Sequence, residues 1–189
     1  MSAHVRYVMD ASLSQLTVHA FASGLAAVVA HNPKFAIRTF EGDAQFIPGT
    51  LREASIRVRI KASSLELMDE VSEYDQGEIN RVMFQEVLEV SRSPEIEYGS
   101  SQITATPLSE NLYATTIAGN LTLHGVTNKL DFAAQVVAGT DTLRGYGNFL
   151  VKQSEYGIAT ASIAGGTLKM RDELKIAFFI VAKKTGVIR

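Results

Sequence analysis

Strict two-residue alternation of apolar and polar side chains dominates this chain and limits what it can become. Ser55-Ile56-Arg57-Val58-Arg59-Ile60-Lys61 puts three aliphatic residues on one face and polar residues on the other. A strand with one buried face accommodates that pattern, because successive side chains of a strand point to opposite sides. The same period runs through residues 129–137, where Leu130, Phe132, Ala134 and Val136 share a face. It returns in 174–183 with Leu174, Ile176, Phe178, Ile180 and Ala182. The other face of that last segment carries Ala177, Phe179 and Val181, so the strand is expected to be covered on both sides. Weaker alternating runs lie at 4–10, 14–21, 34–46, 95–103, 111–124 and 143–152, separated by Gly, Pro, Asn or Asp.

About eight strands with few helices to make parallel crossovers predict an all-β, antiparallel sandwich or barrel, between which periodicity alone does not choose. One segment departs from the period of two. Residues 75–90 place Ile79, Val82, Met83, Glu86, Val87 and Val90 at steps of three and four, with Asp75 and Glu78 in the first turn. This spacing predicts a helix, stopped by Ser91, Ser93 and Pro94. In a barrel a lone helix is expected to cap an open end. A second short helical turn is expected at 26–30, before Pro33.

At 189 residues, 46% of them hydrophobic, the chain can bury one good-sized core, and it shows no internal repeat or linker, so 1–189 reads as a single domain. A net charge of −2 argues against nucleic acid and against polybasic membrane anchoring. The stretch 16–30 is interrupted by His19 and Ser23 and is too short to span a bilayer, so no stable membrane insertion is expected. Residues 1–14 lack the basic region of a secretory leader, which gives a cytoplasmic expectation. Charge is unevenly spread: ten of the twenty acidic residues fall in 66–97 with only Arg81 and Arg92, so that segment carries −8 and the remainder +6. It is either a solvated face or a docking surface for a basic partner or a second copy.

Chemistry is sparse. Zero cysteines exclude thiolate nucleophiles, disulfides and Cys-ligated metals. His4, His19, His31 and His124 have no partner at the three- or four-residue spacing of a helical metal site, so no metal and no cofactor is expected. Ser63-Ser64 and Ser100-Ser101 sit in turn-like contexts without a nucleophile elbow. Gly145-Tyr146-Gly147 lies in an alternating strand with no helix to receive a phosphate. An enzyme acting on an apolar substrate would have to use His31 or His124 as base.

The glycines are more informative. If Leu143, Phe149 and Val151 face inward, Gly145 and Gly147 do too, and Gly119 shares the face of Tyr113, Ile117, Leu121 and Leu123. They serve either as bends that let a barrel close or as unfilled interior. The second use leaves room for one ligand, as a barrel of about eight strands can. The inward set is then Phe35, Ile37 and Phe46, followed by Ile56, Val58 and Ile60, then Met83 and Val87 of the helix. Beyond it come Ile96, Tyr98, Ile117, Leu121, Leu123, Leu130, Phe132, Phe149, Val151, Tyr156, Ile176, Phe178 and Ile180. A pore lined in this way suits hydrocarbon.

Gly119-Asn120-Leu121-Thr122-Leu123-His124-Gly125-Val126-Thr127 resembles the G-x-L-T-L-H-G-V-T signature of the YceI-like family. Ser93-Pro94-Glu95-Ile96-Glu97-Tyr98 is similar to the family's strand after its helix, and Gln153-Ser154-Glu155-Tyr156-Gly157-Ile158 resembles its R-x-D-F-G-I segment. Order and spacing match over nearly the whole chain. The resemblance implies an extended, lipocalin-like antiparallel barrel whose pore binds a polyisoprenoid, an isoprenoid quinone or a related amphiphile such as a fatty-acid derivative, for carriage, storage or stress protection, commonly as a homodimer. Gln153 and Glu155 depart from the family's basic residue and Asp, and 21–30 is longer and more apolar than usual. His124 is expected either to fix the turn beside Gly125 or to meet a ligand headgroup. The competing expectation is a ligand-free interaction module using 66–97.

Overall fold

The computed structural model describes residues 4–23, 32–160, 162–163 and 168–188. The turn expected at 26–30, and His31, lie outside them. The strands are β1 (His4–Met9), β2 (Gln15–His19), β3 (Ala22–Ser23), β4 (Lys34–Ile37), β5 (Phe40–Ile47), β6 (Arg52–Lys61) and β7 (Leu65–Leu67). After the helix follow β8 (Glu95–Pro107), β9 (Leu112–Leu123), β10 (Val126–Ala138), β11 (Thr142–Lys152), β12 (Ser162–Ile163), β13 (Leu168–Met170) and β14 (Glu173–Ile188). The helix α1 (Glu73–Arg81) runs on as a π-turn over Val82–Val87.

Eight strands close on themselves, all antiparallel, in the order β1-β5-β6-β8-β9-β10-β11-β14, and β14 returns to β1. Closure leaves no edge on the ring, which settles the barrel against the sandwich. A second branch, β2-β4-β7, leaves β14, and β12-β13-β3 forms a small separate sheet. β14 serves two strands along one side: residues 182–188 pair with β1 and 175–179 with β2. In the gap, the Asp10 amide donates to the Val181 carbonyl, and the Val181 amide donates to Ser14 Oγ.

That interruption is one of three at the same level. β1 and β2 are separated by the 3-10 turn Ala11–Leu13, β4 and β5 by Arg38 and Thr39, β6 and β7 by the turn Ala62–Ser64. Ser64 Oγ ties the last two together, accepting from the Thr39 amide and donating to the Lys61 carbonyl. Each kink reverses the inward parity. Val5 and Tyr7 give way to Leu16 and Val18, Phe35 and Ile37 to Phe40 and Ala44, and Ile56 and Val58 to Leu65 and Leu67. The run at 34–46 is therefore two strands, and β7 is an additional one.

The helix begins at Ser72, whose hydroxyl accepts from the Asp75 amide, with Glu73 and Asp75 at the positive end of its dipole. It ends earlier than the 75–90 pattern predicts, because Glu89 takes φ 43° and turns the chain away. Ser100 and Ser101 lie at a bulge in β8, where Ser100 Oγ accepts from the Ile56 amide in place of a ladder bond.

Two of the three inward glycines close the wall. A Cβ on Gly119 would lie 2.4 Å from the Gly99 carbonyl oxygen and 2.5 Å from the Tyr98 hydroxyl. A Cβ on Gly147 would lie 2.8 Å from the Ala133 carbonyl oxygen and 3.0 Å from the Phe178 ring. Gly42 repeats the arrangement, 2.4 Å from the Arg57 carbonyl oxygen. At these points neighbouring backbones coil tightly together, and the space expected at Gly119 and Gly147 is occupied by strand and ring. Of the three inward glycines, Gly145 alone faces open space. Gly119→Ala should cost about 2 kcal/mol or more by overpacking, whereas Gly145→Ala should change stability by well under about 1 kcal/mol. Urea unfolding of the two variants measures the contrast.

Candidate ligand-binding pore

The barrel encloses a cavity of about 240 Å³. Its wall comes from every barrel strand and from the end of the helix, with Val58 and Ile60 on β6, Leu121 on β9, Phe149 on β11, Ile176 and Phe178 on β14, and Val87 and Leu88 below. Many of these inward residues, Val58, Ile96, Leu130 and Ile180 among them, are only half-buried. Their exposed surface faces the cavity. Side chains therefore leave the inside of the barrel partly unfilled.

Of the residues expected to line a pore, Ile37, Ile56, Val58, Ile60, Val87, Ile96, Tyr98, Ile117, Leu121, Leu123, Leu130, Phe132, Phe149, Val151, Ile176, Phe178, Ile180 and Gly145 surround this cavity. Phe35, Phe46, Met83 and Tyr156 do not. Phe35 and Met83 are buried in the core between the β2-β4-β7 branch and the helix. Phe46 stacks on Tyr7 at 5.3 Å in a cluster closing the opposite end, and Tyr156, 1% exposed, is locked beneath its turn. Alternation reports which face a side chain takes, and all four do face inward or into a core. It does not report where along the axis the inside is full.

Residues missed by the periodicity include Met9, Ala44, Leu88, Gln153 and Ile158. Ala44 follows a parity reversal, Leu88 follows the helix, and Gln153 carries no apolar signal. Gln153 is 5% exposed and spends its amide on the Arg171 carbonyl at 3.0 Å. The Tyr98 hydroxyl donates to the Leu130 carbonyl at 3.1 Å. Burial first, and then Asp131, push this phenol up to about 12, so it stays protonated. Among the described residues, no charged side chain and no histidine lines the cavity. Among the described residues, no group of three His, Asp or Glu could hold a metal.

Four aromatic rings share one wall. Phe132 stacks on Phe149 at 4.7 Å and meets Phe178 edge-on at 5.7 Å, while Tyr98 tilts against Phe132 at 5.4 Å. Tyr98 lies over Gly119 and Phe178 over Gly147, so each glycine gives a ring room to lie along the wall.

His124 and Gly125 form the two-residue turn between β9 and β10, with φ 53° and 75°, a geometry that two-residue hairpins favour. The His124 Nε2 bonds the Glu89 carboxylate at 2.6 Å and Nδ1 bonds the Tyr156 carbonyl at 3.2 Å. Each ring nitrogen thus faces one acceptor. His124 thereby fastens the segment after the helix to the hairpin and to the turn Gln153–Tyr156. It does not line the cavity.

The sequence profile of the YceI-like domain matches residues 7–182. The chain belongs to the YceI-like family. Its fold is that of BcnA from Burkholderia cenocepacia, with TM-score 0.70 at 20% identity over 93% of this chain and 99% of that one. A polyisoprenoid binding domain from Saccharophagus degradans, implicated in plant cell wall breakdown, gives 0.67 at 13% identity over 95% and 98%. A Campylobacter jejuni YceI protein gives 0.62 at 16% over 83% and 87%. No curated protein matches the chain. In this YceI-like chain the signature residues Gly119, His124 and Gly125 serve wall closure and turn geometry, and Leu121 and Leu123 face the cavity.

The His124 bond, foremost, and then Arg92 hold the Glu89 carboxyl below the usual carboxylate range. A lowered folded-state value means that this stabilisation is complete above the unfolded carboxylate range and is lost as pH falls through the lowered one. His124→Ala should reduce the melting temperature near neutral pH and flatten the loss on the acid side, as read by circular dichroism melts across an acid titration.

Proposed function

We propose that this protein binds one long apolar or amphiphilic molecule in the barrel, a polyisoprenoid, an isoprenoid quinone or a fatty-acid derivative, and holds it for carriage or storage. The observation that carries the reading is a cavity walled by aliphatic and aromatic side chains, with the two polar side chains among its described lining, Tyr98 and Gln153, bonded to backbone carbonyls. A polar guest would lose its water and find no partner there, at a cost of about 2 kcal/mol or more per group. A hydrocarbon guest gains about 0.8 kcal/mol per buried methylene before ordering costs. Cavity length, more than contact strength, then sets the chain length that fits. The Saccharophagus degradans domain named for polyisoprenoid binding supports the choice of ligand class.

The acidic segment favours an interaction module less than its composition suggests. Glu66 pairs with Arg38, Glu78 and Glu86 with Arg81, Glu89 with Arg92, and Glu95 and Glu97 with Arg59. Six of its ten carboxylates are thus held by arginines, and Arg38 and Arg59, the two that come from outside the segment, bring its −8 to −6. Proton-transfer chemistry would need a titratable side chain in the cavity, and Tyr98 is held in its neutral form.

Native mass spectrometry and solvent extraction of the purified protein should recover an amphiphile. Val58→Trp, which places an indole in the cavity, should leave the barrel folded and reduce loading. Recovery of no amphiphile from wild type, or unchanged loading in the variant, would overturn the reading.

A further inference from the structure

An apolar guest needs a way in, and the wall of this barrel is not equally strong all round. β9 and β10 pair without interruption from Leu123–Val126 to Leu112–Val137, and β11 and β14 from Lys152–Glu173 to Thr142–Lys183. Between these two ribbons the ladder holds four pairs only, Gln135–Ala138 against Leu143–Tyr146. Residues 126–134 of β10 and 147–152 of β11 remain extended and bonded to their outer neighbours, with no ladder joining them. At the bottom the Asn128 side-chain Nδ2 donates across to the Glu155 carbonyl at 2.6 Å. Between that bond and the ladder the seam is closed from inside by Phe132 stacked on Phe149, and both rings line the cavity.

Other routes are better sealed. One end is plugged by the Tyr7–Phe46 stack, with the Tyr7 hydroxyl donating to the Gly139 carbonyl at 3.2 Å and the Tyr113 hydroxyl to the Gly49 carbonyl at 3.4 Å. The other end is filled by Met83 and Leu88 and fastened through His124 and Glu89. β6 and β8 also part above Arg57–Gly99, but Ser100 Oγ bridges them and Ala54, Ala105 and Leu51 fill the space behind. The two strands still meet where Gly147 lies against the Ala133 carbonyl; between that contact and the Asn128 bond the seam opens when two rings move, whereas the other routes among the described residues require breaking hydrogen bonds or unpacking a core.

The outer rim of the seam suits a lipid surface. Leu150 is 54% and Val126 38% exposed. The outward charged residues of β10 and β11 are Lys129, Arg144 and Lys152 against Asp131 alone, and no ion pair holds any of the three cations among the described residues. Apolar side chains amid unpaired cations complement an anionic bilayer.

We propose that the β10–β11 seam is a lateral portal, gated by Phe132 and Phe149, through which an apolar chain passes between an anionic lipid surface and the cavity. The portal rests on the apolar-ligand reading above. The cysteine-free chain allows it to be locked: Ala133→Cys with Asn148→Cys extends the register across the seam, and Ser55→Cys with Ser101→Cys locks the β6–β8 divergence as a control. A pyrene-labelled fatty alcohol in phosphatidylcholine vesicles, with or without phosphatidylglycerol, is the probe. Oxidation of the first pair should slow loading on the order of tenfold, reversibly on reduction, and oxidation of the control pair should not. Phe132→Ala should speed loading, and phosphatidylglycerol should speed wild type more than a Lys129→Glu, Lys152→Glu variant. Equal loading rates for the oxidised and reduced seam pair, or slowing by both locks alike, would overturn the portal. Equal rates from both kinds of vesicle would overturn the lipid surface as its partner. Failure of wild type to load at all would instead remove the ligand reading itself.

Discussion

Everything in this barrel depends on satisfying the backbone along both sides of β14. A ring of strands is stable only when each strand finds two neighbours, and β14 meets that demand with β11 along one side and β1, then β2, along the other. The division at Val181 obliges β1 and β2 to part, and the turn Ala11–Leu13 with Ser14 Oγ supplies the missing bonds. Once β1 and β2 diverge, the strands stacked on them must bend at the same level. Ser64 holds that bend in the next two pairs. Below the bend the three-stranded branch leaves the ring, and the space it opens is where the helix lies, with Met83 and Leu88 in the core and Val87 and Leu88 at the cavity.

The cavity follows from the same coiling. Where neighbouring strands cross tightly, at Gly42, Gly119 and Gly147, no side chain fits between a strand and its neighbour's carbonyl. Long side chains from adjacent positions then lie flat in the vacated places: Met9 over Gly42, Tyr98 over Gly119, Phe178 over Gly147. Rings laid along a wall occupy less of the axis than rings pointing across it. The glycines thus keep the inside open indirectly, by accommodating the aromatic side chains and not by standing empty.

Much of this was legible in the alternation. The faces of β6, β9, β10, β11 and β14 were readable residue by residue, because each is a long strand with one apolar side. What alternation did not carry were the three parity reversals, since a 3-10 turn or a two-residue kink looks like ordinary polar punctuation. Phe35 and Phe46 show the consequence: they face inward, yet one belongs to the core over the helix and the other to the aromatic plug. Gly119 and Gly147 were ambiguous between bend and space for a physical reason. Both uses need a missing Cβ, and only the position of the neighbouring strand distinguishes them. His124 was readable as a turn residue from Gly125 beside it, whereas its bond to Glu89 joins segments 35 residues apart and has no local signal.

The outer face of β14 gives the last connection between sequence and use. Its alternation fails, with Ala177, Phe179 and Val181 opposite the inward set, and the structure leaves Phe179 40% exposed beside Tyr146 at 39% on β11. A strand buried on both sides would explain such a sequence, but β14 belongs to a single-walled barrel, and nothing in the described chain lies over Phe179. These residues sit on the same outward face as Leu150 and the unpaired cations beside the seam. An apolar outer surface and an apolar inner cavity, separated by a wall whose ladder lapses between them, form one continuous preference for hydrocarbon.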